Sequence, residues 1–252
     1  MPKPQVIPVG EEYTRNVFRF ASATKSVSDA DADPSHPSFV SIGNSLSALY
    51  QIGTCTPECR GGPHILEAIA ARAHNHGCGS LILLSVALYD ESLNLTRSIA
   101  EIANLLFLFR INPEEYRAWV RATRNARLRN FGPSSIRKKI QDLNAPLPIS
   151  AEWYQELCEG ATHPVPEMRP NAHEPDGVFP GFVGGLFQEK GYSNCVFQLN
   201  YVLATAAVAV ASMFERQDLI ELVESALDTE IEHWKSQSGH QAVSDGEEPE
   251  AS

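Results

Sequence analysis

The stretch SLILLSVALYDESLNLTRSIAEIANLLFLFR, residues 80–110, decides the fold class of this 252-residue chain. It contains neither Pro nor Gly, and most of its side chains are apolar. Such a run predicts a single helix of about 31 residues, which would be about 46 Å long if unbroken. Because apolar residues occupy nearly every side of it, we expect this helix to be the long central helix of a bundle.

Further helix signals flank this stretch. Pro63 and Gly77 predict a helix near 63–76, since Pro suits a first helical position and Gly ends helices. Asn112, followed by Pro113 and two acids, predicts a helix that runs to about residue 130. Capping residues and breakers predict further helices near 133–143, 150–160, 194–214 and 217–236. Six or seven helices with few strand signals indicate an all-α multi-helix bundle.

The segments outside these helices define the domain organisation. Early prolines and the stretch ATKSVSDADADPSHP predict a flexible N-terminal arm over residues 1–37, in which 13–20 form a short strand or an extended segment. The bundle domain occupies 38–236. Residues 237–252 are predicted to be a disordered acidic tail. Residues 162–192 are rich in Pro and Gly and form a loop of unusual length.

Composition bears on the compartment. The N-terminus lacks the apolar run of a secretory signal, and five scattered cysteines are an odd number, so we expect a cytoplasmic protein with reduced thiols. The most apolar stretch, residues 195–214, is dominated by Ala and carries Gln198 and Asn200, which favours a buried core helix over a membrane span. No phosphate-binding loop, nucleophile elbow or zinc-protease motif is present, and the sequence predicts no cofactor.

Charge is distributed unevenly along the chain. The net charge is −11, but residues 110–139 contain nine Lys/Arg and two acids, a balance of 9 − 2 = +7. Residues 217–252 contain one Lys and ten acids, a balance of 1 − 10 = −9. The basic segment predicts an RNA or single-strand binding surface, because guanidinium groups pair well with phosphate. The residues expected to form it are Arg117, Arg121, Arg124, Arg127, Arg137, Lys138 and Lys139.

Two alternatives for the basic segment stay open. It is a solvated helix face, or it pairs with the acidic C-terminal helix within one chain, across a homodimer or with a partner protein. The acids expected on that helix are Glu221, Glu224, Asp228 and Glu232. Trp119 and Phe131 lie in the basic segment and could stack on bases, although Trp119 is also a candidate for the core.

Five polar residues on the 80–110 segment are spaced by 4, 3, 4 and 3 residues, which places them on one face of a helix. They are Asp90, Asn94, Arg97, Glu101 and Asn104. This polar stripe is either the solvent face of the helix or the lining of an internal cleft. In a cleft its charges would need partners, for which His163 and Glu156 are candidates.

Two segments carry a family resemblance. LTRSIAEIANLLFLF (95–109) and WYQELCEGATHP (153–164) resemble segments of a group of uncharacterised bacterial proteins related to the HEPN superfamily. The shared features are an Arg and a Glu four residues apart before a Leu-rich helix end, and a Tyr-x-x-Leu-Cys segment that ends in His-Pro. The resemblance covers roughly residues 63–214. It implies a helical bundle, frequently dimeric, in a superfamily that contains RNases of toxin–antitoxin and phage-defence systems, RNA-binding proteins and scaffolds.

The resemblance predicts the fold more directly than it predicts a catalytic activity. Active HEPN proteins use an Arg and a His at a short fixed spacing, whereas the nearest match, Arg169 with His173, is one residue short and contains Pro170. We therefore expect an RNA-related protein of bacterial stress or defence type, non-catalytic or weakly catalytic. The alternatives are a regulatory bundle that binds proteins and an HEPN-type RNase with a rearranged site.

The resemblance assigns a site to Arg97, Glu101, Tyr154 and His163. An imidazole beside an Arg–Glu pair could act as a general base. The alternative is a buried polar lock that holds two helices together.

Cysteine and histidine are concentrated in residues 55–78. Ligand type suits Zn²⁺, but His64 and His74 would be about 15 Å apart along a helix. If the loop folds back onto the helix end, the residues able to converge are Cys55, Cys59, His76 and Cys78. Buried thiols and ordinary histidines at the C-terminal end of a helix are the alternative, and the sequence favours no metal.

Overall fold

A computed structural model describes residues 36–55, 59, 61–162, 166 and 185–244, with side chains as far as residue 232, and also 11, 14–16, 19 and 21–25. In these ranges the chain has helices and no strand, which confirms the all-α multi-helix bundle. The helices are α1 (Pro37–Gly53), α2 (Ile65–Ser85), α3 (Tyr89–Ile111), α4 (Pro113–Arg121), α5 (Arg124–Asn130), α6 (Pro133–Asp142), α7 (Ala151–Leu157), a π-helical turn (Cys158–Thr162), α8 (Glu189–Met213) and α9 (Gln217–Ser244).

The centre of the bundle is formed by α3 and α8, and α1, α2 and α9 pack around them. The inner face of α8 consists mainly of Ala and Val, including Ala206, Ala207 and Val210, which are fully buried. Among the described residues, α8 is the one helix that is long and apolar enough to cross a membrane, but 67% of its most apolar stretch is buried inside the bundle. It is the core helix that its composition predicts.

The single helix predicted over 80–110 is wrong, because the chain turns between Ser85 and Tyr89. Ala87 makes this turn in the left-handed conformation, with φ of 54°, and its methyl group is fully buried. Neither Pro nor Gly marks the turn. The second half, α3, is still a long and central helix of 23 residues.

The helix end predicted at Gly77 is also wrong, since α2 continues through Gly77 to Ser85. A Cβ at Gly77 would lie 2.7 Å from Cδ2 of Leu46 on α1 and 2.9 Å from Cδ2 of Leu203 on α8. Only glycine therefore lets α2 approach both neighbours this closely. This residue is a packing glycine rather than a helix stop.

A second, smaller core holds the basic segment against the end of α3. Ile136 and Ile140 of α6 pack on Phe107 and Leu108 of α3. The helix predicted from 113 to about 130 is broken at Ala122, after which α5 begins. Neither α4 nor α5 contains a buried residue.

Both termini depart from prediction. The described residues 14–16, 19 and 21–25 are helical rather than a strand, and Thr24 is buried with its hydroxyl donating to the Gly185 carbonyl oxygen. This part of the predicted flexible arm therefore packs on the bundle. At the other end α9 continues to Ser244, past the predicted boundary at 236, because no proline interrupts it. Residues 245–252 and most of the long 162–192 loop lie outside the described residues.

Candidate functional site

The polar stripe of α3 faces the segment that carries α7 and the π-helical turn. At one end Thr162 donates to Oδ1 of Asn94 (3.3 Å). At the other end the amide of Asn104 donates to the Ile149 carbonyl (3.0 Å) and accepts from the Ile149 N–H (3.1 Å). Burial varies along the stripe: Asp90 is half-buried, Asn94 is exposed, Arg97 and Glu101 are half-buried, and Asn104 is buried. The segment that carries α7 therefore partly covers the stripe, from Arg97 to Asn104, and Asn94 remains exposed to solvent.

Three of the four residues assigned by resemblance meet in the middle of the stripe. Arg97 Nη2 lies 2.7 Å from Oε1 of Glu101, and the Tyr154 hydroxyl donates to the same oxygen at 2.7 Å. The Arg97 guanidinium lies 5.4 Å from the centre of the Tyr154 ring. The fourth residue, His163, lies outside the described residues.

Electrostatics make Tyr154 a hydrogen-bond donor and not a base. Burial of the phenol raises its pKa well above the ordinary value, and the hydrogen bond and negative charge of Glu101 raise it further. Ionisation of Tyr154 would put two negative charges in contact. At neutral pH the phenol stays protonated and donates a hydrogen bond to Glu101.

Arg137, one of the residues predicted to form the RNA-binding surface, contacts this cluster. Its guanidinium lies 4.7 Å from the Tyr154 ring centre, so the ring has a cation from α3 and a cation from α6 close to it. Glu156, a candidate partner for the stripe, is exposed and makes no such contact; Tyr154 takes that place. The cluster ties α3, α6 and α7 together, which is the geometry of a polar lock. Nε of Arg97 is buried in it and has no hydrogen-bond partner among the described residues.

The remaining basic residues fall into two groups, those that contact a partner side chain and those that form no ion pair with a described residue. Lys139 pairs with both carboxylate oxygens of Glu115 (2.8 and 2.7 Å), Arg117 pairs with Glu114, and Arg127 lies over the Trp119 ring. Four exposed cations form no ion pair with any described residue: Arg121, Arg124, Arg129 and Lys138. The predicted ridge of 117, 121 and 124 is interrupted, since α4 ends at Arg121.

A surface groove of about 430 Å³ lies among α4, α5 and α6. Its rim carries Arg129, Lys138 and Lys139, against the acids Glu115 and Asp142. Because Glu115 is already paired with Lys139, positive charge predominates in the groove. This arrangement suits an anion of extended shape, such as a phosphodiester chain.

The aromatic residues of the basic segment are used in packing. Trp119 is half-buried and contacts Phe109 of α3 at a ring-centre distance of 5.6 Å, so it packs against the bundle without being part of either core. Phe131 packs against the second core and has Lys139 5.0 Å from its ring centre. Neither ring is free on both faces, so base stacking is a poor description of this surface.

The acidic helix α9 lies elsewhere in the chain. It packs on α1 and α8, and its buried Glu230 accepts hydrogen bonds from Ser38 of α1 (2.7 Å) and from Asn200 of α8. No ion pair between described residues joins α9 to α4, α5 or α6. Pairing of the acidic and basic segments within one chain is therefore absent from the described part of the molecule.

The four-residue metal set proposed from sequence does not converge. His76 and Cys78 lie on α2, 12 and 14 residues beyond His64, or about 18 and 21 Å along the helix. Cys55 and Cys59 instead lie beside His64, the residue at the N-terminal cap of α2. The sequence signal for His64 is the compact Cys-x₃-Cys-x₄-His pattern within residues 55–64. His64 and His74 do not converge, because they lie about 15 Å apart along α2, whereas His64 alone lies beside the two cysteines.

Comparison of the chain with protein-family models, with curated proteins and with solved structures finds no match. The HEPN resemblance stays a prediction.

Proposed function

We propose that this protein binds RNA through the groove among α4, α5 and α6, recognising the phosphate backbone rather than the bases. The observation that carries the proposal is the pair of exposed cations that line this groove, Arg129 and Lys138, neither of which forms an ion pair with a described residue. Arg121 of α4 and Arg124 of α5 are also exposed and form no ion pair within the described ranges. Guanidinium and ammonium groups in this setting attract phosphate, and the packed aromatic rings offer little to read a base sequence. The HEPN resemblance agrees with an RNA-related role.

The polar lock gives this surface its shape. Arg137 leaves the basic face to contact Tyr154, and Tyr154 is bonded to Glu101 on the central helix α3. The position of α6, which carries Lys138, is therefore coupled to the bundle core. In this proposal Arg97, Glu101 and Tyr154 position the binding surface and do not cleave RNA.

The test is a binding titration with a labelled single-stranded RNA oligonucleotide over a series of salt concentrations. Wild type is compared with Arg129→Glu/Lys138→Glu, which reverses the charge of the two groove cations that form no ion pair with a described residue. The matched control is Arg19→Glu/Arg72→Glu, which makes the same change of charge at exposed positions elsewhere.

Each lost phosphate contact lowers the slope of log K against log salt by about 0.7 for a single strand, so we expect the groove variant to lose about 1.4. The control should retain the wild-type slope. Equal loss in both variants, or no RNA retained by the wild type at low salt, would refute the proposal. Salt-sensitive self-association of a wild type that binds no RNA would assign the surface to a protein partner.

The same reaction mixtures test for cleavage. We expect the oligonucleotide to stay intact, because the Tyr154 hydroxyl and Arg97 Nη2 both hydrogen-bond to Oε1 of Glu101, and this engagement leaves neither the carboxylate nor the phenol free to act as a base. A product that forms with wild type and disappears with Arg97→Ala would overturn the non-catalytic role.

A further inference from the structure

Two thiols and one imidazole converge where the chain enters α2. Cys55 Sγ lies 3.9 Å from Nδ1 of His64, and Cys59 Sγ lies 3.8 Å from Nε2 of the same ring. The ligand atoms of the three residues all lie within 4.8 Å of one another. It is the one such group among the described residues.

These separations are close to those of a bound ion. A tetrahedral Zn²⁺ with Zn–S of about 2.3 Å and Zn–N of about 2.0–2.1 Å has S···N edges of about 3.6 Å and S···S edges of about 3.8 Å. Binding would contract the cluster by about 1 Å at most. Neither Cys55 nor Cys59 forms a disulfide, so both sulfurs can act as ligands.

A buried carboxylate lies against Nδ1 of the imidazole, the nitrogen that Cys55 also approaches. Oε1 of Glu67 is 3.1 Å from Nδ1 of His64, and Glu67 is only 8% exposed. In metal sites a carboxylate commonly accepts the N–H of a ligating histidine, which fixes the tautomer and leaves the other nitrogen free for the metal. Here that arrangement assigns the proton to Nδ1 and directs the Nε2 lone pair towards Cys59.

The conformation of the backbone brings these side chains together. Cys55 and His64 both have positive φ, 57° and 49°, which residues other than glycine adopt rarely. Cys55 follows the last turn of α1, and His64 caps α2 without a side-chain cap hydrogen bond. The cluster therefore joins the end of one core helix to the start of the next.

We propose that Cys55, Cys59 and His64 form a binding site for a thiophilic divalent cation of the Zn²⁺ class. His64 coordinates through Nε2, and Glu67 orients the imidazole through Nδ1. Cys55 Sγ, which lies 3.9 Å from Nδ1, moves towards Nε2 to reach the ion as the cluster contracts. Two thiolates and an imidazole select such an ion over Mg²⁺ or Ca²⁺, which prefer oxygen ligands. The three side chains supply three of the four positions of a tetrahedral ion, and the fourth is open to water or to another donor.

The site is distinct from the basic groove and does not depend on RNA binding. Zinc content can be measured on the purified full-length chain, under a thiol-free reductant, without any assay of activity. The experiment strips the protein with a chelator and titrates it with Zn²⁺ in competition with a chromophoric chelator. Co²⁺ serves as a second probe, since thiolate ligands give it an intense charge-transfer absorption.

Four variants separate the proposal from non-specific thiol binding. Cys55→Ser and Cys59→Ser each remove one sulfur, and His64→Asn removes the imidazole while retaining a residue that tolerates positive φ. The matched control is Cys78→Ser, because Cys78 also lies beside a histidine, with Sγ 3.6 Å from Nε2 of His74, but on α2. Far-UV circular dichroism checks that every variant stays helical.

We expect wild type and Cys78→Ser to bind one equivalent of Zn²⁺ and to show the cobalt–thiolate band. Cys55→Ser, Cys59→Ser and His64→Asn should lose the stoichiometric site while remaining folded. A fifth variant, Glu67→Gln, should keep one equivalent with an affinity lowered about 10–100-fold, as expected for a residue that orients a ligand. Absence of binding to wild type, unchanged binding by Cys59→Ser, or equal loss in Cys78→Ser would each overturn the site.

Discussion

Gly77 provides a quantitative test of how three helices meet. A Gly→Ala substitution inside a helix is worth up to about 1 kcal/mol through backbone propensity. Gly43 is exposed on α1 and has nothing within 4 Å of an added Cβ. Gly43→Ala should therefore raise the free energy of unfolding by about that amount. At Gly77 the same methyl group would lie 2.7 Å from Leu46 and 2.9 Å from Leu203.

Overpacking of a core by one carbon costs about 1–3 kcal/mol. Because the propensity gain is common to both sites, Gly77→Ala should be less stable than Gly43→Ala by about 1–3 kcal/mol. The shift is about 3 °C per kcal/mol for a chain of this length, so the melting temperatures should differ by about 3–9 °C. Thermal unfolding followed by circular dichroism measures both. If Gly77→Ala is stabilised as much as Gly43→Ala, α1, α2 and α8 do not meet at this residue and the packing described here is wrong.

Two further substitutions test local interactions. Tyr154→Phe removes the hydroxyl that donates to Glu101 and should lower the free energy of unfolding by about 1–2 kcal/mol. This is less than the roughly 1.5–3 kcal/mol of a buried bond to a charged group, because the Glu101 side chain is 33% exposed; an unchanged denaturation midpoint would rule out the polar lock. Glu215→Gly should raise the unfolding free energy by about 1 kcal/mol, because Glu215 has φ of 57° at the exposed end of α8, where glycine is unstrained; a lower melting temperature would contradict this.

Capping chemistry could be predicted from the sequence because it is local. Asn112 accepts from the Glu114 N–H, Pro113 begins α4, and Ser150 accepts from the Trp153 N–H. The signals that failed depend on tertiary contacts. Gly77 is identical in sequence whether it ends a helix or admits a neighbour, and Ala87 carries no mark of a left-handed turn.

The first core helix, α1, was not among the predicted helices for a related reason. Its buried residues include Ser38, Ser41 and Ser45, so the inner face is partly polar and its apolar periodicity is weak. Ser38 is buried because Glu230, 192 residues later, accepts its hydroxyl hydrogen. Information of that range is absent from any local pattern.

For the site, the spacing on α3 placed Arg97 and Glu101 on one face, and the resemblance added Tyr154. Neither could show that Arg137 contacts Tyr154, because the two lie on separate short helices. The Cys55–His64 cluster depends on two residues of positive φ, which sequence does not reveal when neither is glycine.

The absence of buried residues from α4 and α5 has a consequence for how binding would be detected. Helices without a buried face can open and reclose while the rest of the bundle stays intact, so their amide hydrogens exchange through local fluctuations. A ligand held by Arg121, Arg124 and Arg129 would raise the free energy of this local opening by RT ln(1 + L/Kd), where L is the free ligand concentration, and would slow exchange accordingly until global unfolding becomes the easier route. The melting temperature reports the unfolding of the cores around α3 and α8, so it would detect binding to α4 and α5 less directly.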